Sequence, residues 1–129
     1  MTEQDWPEEL DALRAAAEYH FLQIENDEVR VLETRIPAGH TVPVHTHRWP
    51  SVFYVLSWSD FVRRDANGKV LLDTRVGDGN VEGAAIWSEP LRPHSVENVG
   101  GKEIRLLAVE LKTAKAVVPT KGVAKVWRE

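Results

Sequence analysis

The chain has 129 residues, 43% of them hydrophobic, enough apolar matter for one packed core but not for two. Sixteen Lys plus Arg against twenty Asp plus Glu give a net charge of −4, the wrong sign for a general nucleic-acid or acidic-membrane binder. Cysteine is absent, which excludes disulfides, thiolate metal ligands and cysteine nucleophiles, so any metal must rest on His, carboxylate or amide groups. No run approaches the roughly 20 apolar residues of a membrane-spanning helix, and the acidic start Met1-Thr2-Glu3-Gln4-Asp5 lacks the basic region of a signal peptide. A cytoplasmic protein with small-molecule or protein partners, and neither nucleic acid nor membrane, is the expectation.

Residues 1–20 are predicted to be a helical segment. Asp5 can cap it with Glu8 three residues on, Pro7 suits a first turn, and Leu10, Leu13, Ala16 and Ala17 recur at helical spacing. From residue 21 to 129 the pattern becomes that of one all-β domain, with short runs of Val, Ile, Leu and aromatics punctuated by Gly, Pro, Asn and Asp. Predicted strands occupy 21–25, 29–36, 61–64, 70–73, 94–98 and 104–111. Gly68, in Asp65-Ala66-Asn67-Gly68, supplies the positive φ of a hairpin, and Gly77-Asp78-Gly79-Asn80 forms a further loop. The strand at 104–111 has Ile104, Leu106 and Ala108 on one face and Leu107, Val109 and Leu111 on the other, so it should lie centrally or be covered on both sides. The basic tail carries two further β-type runs, 116–118 and 123–127, separated by Pro119-Thr120-Lys121-Gly122. It reads as a closing strand pair or an arm on a partner subunit rather than a polyanion-binding tail.

Three of the five histidines carry the chemical signal. In a strand, residues i and i+2 share a face, so His45-Thr46-His47 aims two imidazoles the same way. His94, following Pro93, is placed where a second strand can bring it opposite the pair. His45, His47 and His94 are the expected ligands of a divalent metal, be it iron, zinc, manganese or nickel. A metal-free, hydrogen-bonded histidine pocket is the alternative. On alternation, Ser51, Phe53 and Val55 should follow the pair on the inward face, with Val96 and Asn98 following His94; these five are the expected substrate-pocket residues. Tyr54 should point outward. His40 reads as a loop or surface residue and His20 as a structural one at the helix-to-strand junction. Trp49 and Trp87 are assigned to packing, and Arg48 and Arg92 to solvent or to acids such as Glu89 and Glu97.

Gly39, five residues, His45-Thr46-His47 resembles the first motif of the cupin superfamily, and Pro90, Pro93, His94 and Asn98 resemble its second. The resemblance spans roughly 29–111. It implies a cupin double-stranded β-helix, a jelly-roll barrel, preceded here by a short N-terminal helix, and it is similar to small single-domain cupins without an assigned reaction. Cupins with a four-residue metal site usually carry a Glu four or five positions after the second His; here Ser51 and Val52 stand there. Trp58 replaces a frequent Gly, and Pro90-Leu91-Arg92 replaces Pro-x-Gly. Some dioxygenases of the superfamily use three His without the Glu, so the resemblance allows dioxygen chemistry.

Three neutral imidazoles would leave a divalent ion its full charge, which favours a small anionic organic ligand. The expected function is such a metal-binding pocket, with dioxygenase activity as the first enzymatic reading. The alternatives are a non-catalytic small-molecule binding or sensing barrel and a structural dimerisation module. A homodimer through an edge strand or the tail is expected.

Overall fold

The computed structural model describes residues 6–77, 79–113 and 126–127. Strands follow where apolar residues alternate with polar ones and turn residues interrupt them: β1 (His20–Glu25), β2 (Val29–Ile36), β3 (Thr41–His47), β4 (Ser51–Ser57), β5 (Phe61–Asp65), β6 (Val70–Asp73), β7 (Ala85–Ser88), β8 (Leu91–Asn98), β9 (Ile104–Leu111) and β10 (Val126–Trp127). One sheet has the order β1-β2-β9-β4-β7-β10 and the other β3-β8-β5-β6. The β5–β6 hairpin turns at Gly68, whose φ of 89° is the left-handed value that only glycine adopts freely. β9 lies between β2 and β4, as its two apolar faces predict.

Period-two burial is clearest in β4, where Ser51, Phe53 and Val55 are buried while Tyr54 and Leu56 are exposed. Phe53 and Val55 meet Ile36, Val42, Ile86, Ile104 and Ala108 in the core between the sheets. Burying each larger side chain is worth about 1.5–3 kcal/mol. No helix among the described residues is long and apolar enough to cross a membrane.

The N-terminal segment holds the expected short helix, over fewer residues than the spacing from Leu10 to Ala17 predicts. Residues after Pro7 form a 3-10 turn at Glu8–Leu10, and α1 (Ala12–Ala15) is a single turn. Its cap is Asp11, whose carboxylate accepts from Leu13 N at 3.0 Å. The helix breaks there because Asp11 is extended (φ −55°, ψ 142°), bridged by its main chain to Thr46 of β3 and by its carboxylate to Arg30. The expected cap Asp5 and the runs at 116–118 and 123–125, with the loop between them, lie outside the described residues; Val126–Trp127 pairs in parallel with β7.

Candidate metal centre

His45 and His47 project from one face of β3, as their spacing requires, and both are buried. Thr46 between them is also fully buried, and the N-terminal segment pairs with it along the edge of β3 through the Asp11–Thr46 bridge. β8 runs antiparallel to β3 with His94 directly opposite His45, and their ring centroids are 4.4 Å apart. The fourth member is His20, the first residue of β1, with its ring 4.9 Å from that of His45 and 5.3 Å from that of His47. The nitrogen donors of His20, His45 and His47 all lie within 4.8 Å of one another. Nitrogens bound at roughly 2.0–2.1 Å to one tetrahedral ion stand about 3.4 Å from one another, so binding a shared ion calls for the three rings to close in by up to about 1.4 Å. The structure thus assembles His20 with the predicted pair, and His94 stands beside that trio, its ring 5.8 Å from that of His47. His20, expected to be structural, belongs to the cluster. No local spacing links position 20 to position 45, and only the fold of the N-terminal segment brings them together.

The protons can be assigned from the partners. Nδ1 of His20 lies 3.0 Å from the Ala16 carbonyl, Nδ1 of His45 2.8 Å from the Pro43 carbonyl, and Nδ1 of His94 2.7 Å from the Arg92 carbonyl. Nδ1 of His47 lies 3.1 Å from Oε2 of Glu110. A carbonyl or carboxylate oxygen can only accept, so each Nδ1 carries the hydrogen, and in the neutral ring each Nε2 keeps a lone pair. Burial favours the neutral form of His20, His45 and His94. It is the main cause that lowers His20 to about 4, assisted by nearby His47. It also holds His45 and His94 well below the usual histidine range, reinforced by the neighbouring His94 for His45 and by Arg63 for His94.

This donor set fits a metal. Deprotonated imidazole nitrogens suit borderline divalent ions such as zinc, nickel or ferrous iron, and the absence of oxygen donors from the trio disfavours magnesium and calcium. Behind His47, Glu110 is fully buried and its Oε1 accepts from Nε of Arg30 at 2.5 Å. The Arg30 guanidinium grips Asp11 with two further bonds of 3.0 and 2.9 Å. Burial alone would raise the Glu110 pKa, but its bonds and charges with His47 and Arg30 outweigh that and lower it. Glu110 was legible as an acidic residue on the face shared by Ile104, Leu106 and Ala108, yet β9 reads as apolar throughout if the alternation is stopped one residue short.

The histidines open on a cavity of about 40 Å³ inside the barrel. A single water needs roughly 10–15 Å³, so this space admits an ion with a few waters or a small ligand group. Of the predicted pocket residues, Phe53 and Val96 line it. Ser51, Val55 and Asn98 are buried elsewhere. The Asn98 amide donates to the Ile36 and Lys102 carbonyls and accepts from Ser59 Oγ and Gly100 N, which spends its hydrogen-bonding capacity on holding the barrel end together. Arg63, also buried, joins the wall. No Asp or Glu is among the described residues of the lining.

The remaining sequence assignments fall outside the cavity. His40 is exposed and shares a 3.2 Å hydrogen bond with Tyr19. Trp49 is half-buried beneath the cations of Arg30, Arg48 and Lys112, and Trp87 donates its indole N–H to Glu89. Tyr54 points outward, as predicted. Glu97 pairs with Arg64.

No protein-family model and no curated protein matches the sequence. Solved structures do match. A cupin domain from Bordetella pertussis superposes with a TM-score of 0.60 at 21% identity, covering 73% of this chain and 92% of its own. An RmlC-like cupin with a double-stranded β-helix fold from Methanocaldococcus jannaschii gives 0.52 at 10% identity over 71% and 77% of the two chains. The polyketide cyclase RemF of Streptomyces resistomycificus gives 0.51 at 21% identity over 87% and 78%. Likeness at these identities is a statement about fold.

Proposed function

From the premise that this chain has the cupin double-stranded β-helix fold, we propose that it is a metal-dependent binding protein or enzyme for a small anionic organic molecule. The observation that carries this reading is the common proton assignment of the four histidines. Each gives its Nδ1 hydrogen to a protein acceptor and leaves Nε2 as a lone pair. A purely structural histidine cluster has no need of four unprotonated nitrogens beside one cavity. His20, His45 and His47 would hold the ion, with His94 adjacent as a fourth donor.

The protein's own groups then set the ligand class. Arg63 brings a positive charge to a wall that otherwise consists mainly of imidazoles and apolar side chains such as Ile36, Leu106 and Phe61. An anion with an apolar body matches that lining better than a neutral polar molecule of equal size. A bound divalent ion supplies Lewis-acid polarisation of a ligand oxygen, or dioxygen chemistry if it is ferrous iron. The apolar walls exclude bulk water, and the backbone carbonyls of Ala16, Pro43 and Arg92 keep three rings from rotating.

Dioxygen-dependent oxidation is the first reaction to seek. Lewis-acid cyclisation is the second, since the polyketide cyclase shares the fold over most of this chain. The test is a thermal-shift comparison of metal-loaded and chelator-stripped protein against small 2-oxo, 2-hydroxy and 1,3-dicarbonyl acids. A ligand bound through the metal raises the melting temperature of the loaded protein alone. Equal shifts with and without metal would favour a metal-free binding barrel.

A further inference from the structure

We propose that Glu110 is a positioning residue of the histidine centre: its carboxylate serves the site without touching the ion, by accepting the Nδ1 hydrogen of His47 and so fixing Nε2 of that ring toward the cavity. The inference rests on the metal reading above for its functional meaning, but the geometry beneath it is independent of any ion.

Three features single Glu110 out. First, His20, His45 and His94 give their Nδ1 hydrogens to backbone carbonyls of nearby residues, whereas His47 alone uses a side chain, 63 residues away and anionic. A carboxylate makes a charge-assisted bond to an imidazole N–H, stronger than the bond a neutral carbonyl makes, so the orientation of the His47 ring is held by the strongest acceptor of the set. Second, the carboxylate is held on both oxygens. Oε2 faces His47, and Oε1 takes the Arg30 Nε bond, so it cannot rotate away without breaking a buried charge-assisted contact. Third, the cluster of Glu110, Arg30 and Asp11 contains two carboxylates and one guanidinium, a net charge of −1 next to the histidines. Buried charge of that kind calls for a compensating cation, and an ion on Nε2 of His47 would stand on the far side of the ring.

The N-terminal segment, bridged to the edge of β3, takes part in the same arrangement. Its Ala16 carbonyl orients His20 directly, while its Asp11 holds Arg30, which holds Glu110, which orients His47. Two of the three clustered ligands therefore depend on one short stretch of chain.

Glu110→Gln tests the assignment at nearly constant volume. Arg30 Nε still needs an acceptor, so the glutamine oxygen stays with Arg30 and its amide N–H₂ turns to His47. Nδ1 must then accept, and the hydrogen moves to Nε2, which removes the lone pair from the cavity. The experiment measures zinc affinity of the chelator-stripped full chain together with the histidine tautomers by ¹⁵N–¹H NMR of the metal-free protein. The parent should show His47 as the Nδ1–H tautomer; the variant should show Nε2–H and bind zinc about 10–100-fold more weakly. A merely structural role would not move the tautomer. An Nε2–H tautomer for His47 in the parent overturns the proposal even if the variant cannot be folded, as does a variant with unchanged tautomer and affinity. If neither protein binds zinc but the tautomer switches, the metal reading fails and the positioning of His47 by Glu110 stands.

Discussion

Ser51 and Glu110 are direct partners across the antiparallel pairing of β4 with β9, and both are withdrawn from solvent. Ser51 occupies the position after the histidine pair where the resemblance would place a carboxylate ligand, and it is too short to reach the cavity. The carboxylate of this layer comes instead from the neighbouring strand, and it addresses His47 rather than the ion site itself.

This pairing reverses the simplest engineering expectation. Ser51→Glu would not complete the site; it would bury a second carboxylate against Glu110. Chemical denaturation should show a loss of about 3–5 kcal/mol, the range seen for uncompensated buried charge. Val52→Glu, on the other face of β4 and only half-buried, should cost less. Tighter manganese binding by Ser51→Glu would contradict the account.

Single-histidine variants separate the two possible trios. His20→Ala should weaken zinc binding at least tenfold, because its nitrogen lies within the 4.8 Å cluster with His45 and His47. His94→Ala should weaken it less. The opposite order in a competition titration would assign the third ligand to His94 and leave His20 as support.

Acid should destabilise the metal-free protein through its histidines. His20 titrates at about 4 in the fold against 6.5 when exposed, so between these values the unfolded chain binds a proton that the native chain does not. The stability is therefore complete above about pH 6.5 and is lost as the pH falls toward 4, with no further loss from this group below that. At about 1.4 kcal/mol for each tenfold difference in proton affinity, His20 alone contributes on the order of 3 kcal/mol. His45 and His94 act in the same direction. Equal denaturation midpoints at pH 7.5 and pH 4.5 would be incompatible with buried neutral rings.

Arg30→Met should expose the cost of the ion cluster. It strands Glu110 and Asp11 without their shared cation, and the loss should reach about 3–5 kcal/mol in equilibrium unfolding. Adding zinc should recover part of it, since binding to the native state stabilises by mass action. A neutral effect of Arg30→Met would mean that water satisfies both carboxylates.

The parts of this protein legible in its sequence are those governed by local periodicity. The strands at 29–36 and 104–111 form with the predicted limits because alternation and turn residues mark them, and the i, i+2 rule places His45 and His47 together. What escaped depends on long-range contact. The N-terminal helix is cut short because Asp11 is committed to Thr46 and Arg30, partners that no helical pattern reveals. His20 joins the cluster only through the long-range placement of that segment beside β3. Ser51 and Val55 obey the alternation and point inward, yet the cavity lies beside Phe53 and not along the whole strand, so inward orientation alone overestimates the pocket. Asn98 is likewise inward but fully engaged with backbone groups.

The most direct test of the central claim is a titration of the chelator-stripped, untagged full chain with cobalt(II) at pH 7.5, read by visible absorption and by calorimetry. The account predicts one equivalent bound per chain, a ligand-field spectrum of nitrogen coordination, and loss of both in His45→Ala. No saturable binding, or binding that survives His45→Ala unchanged, would contradict it.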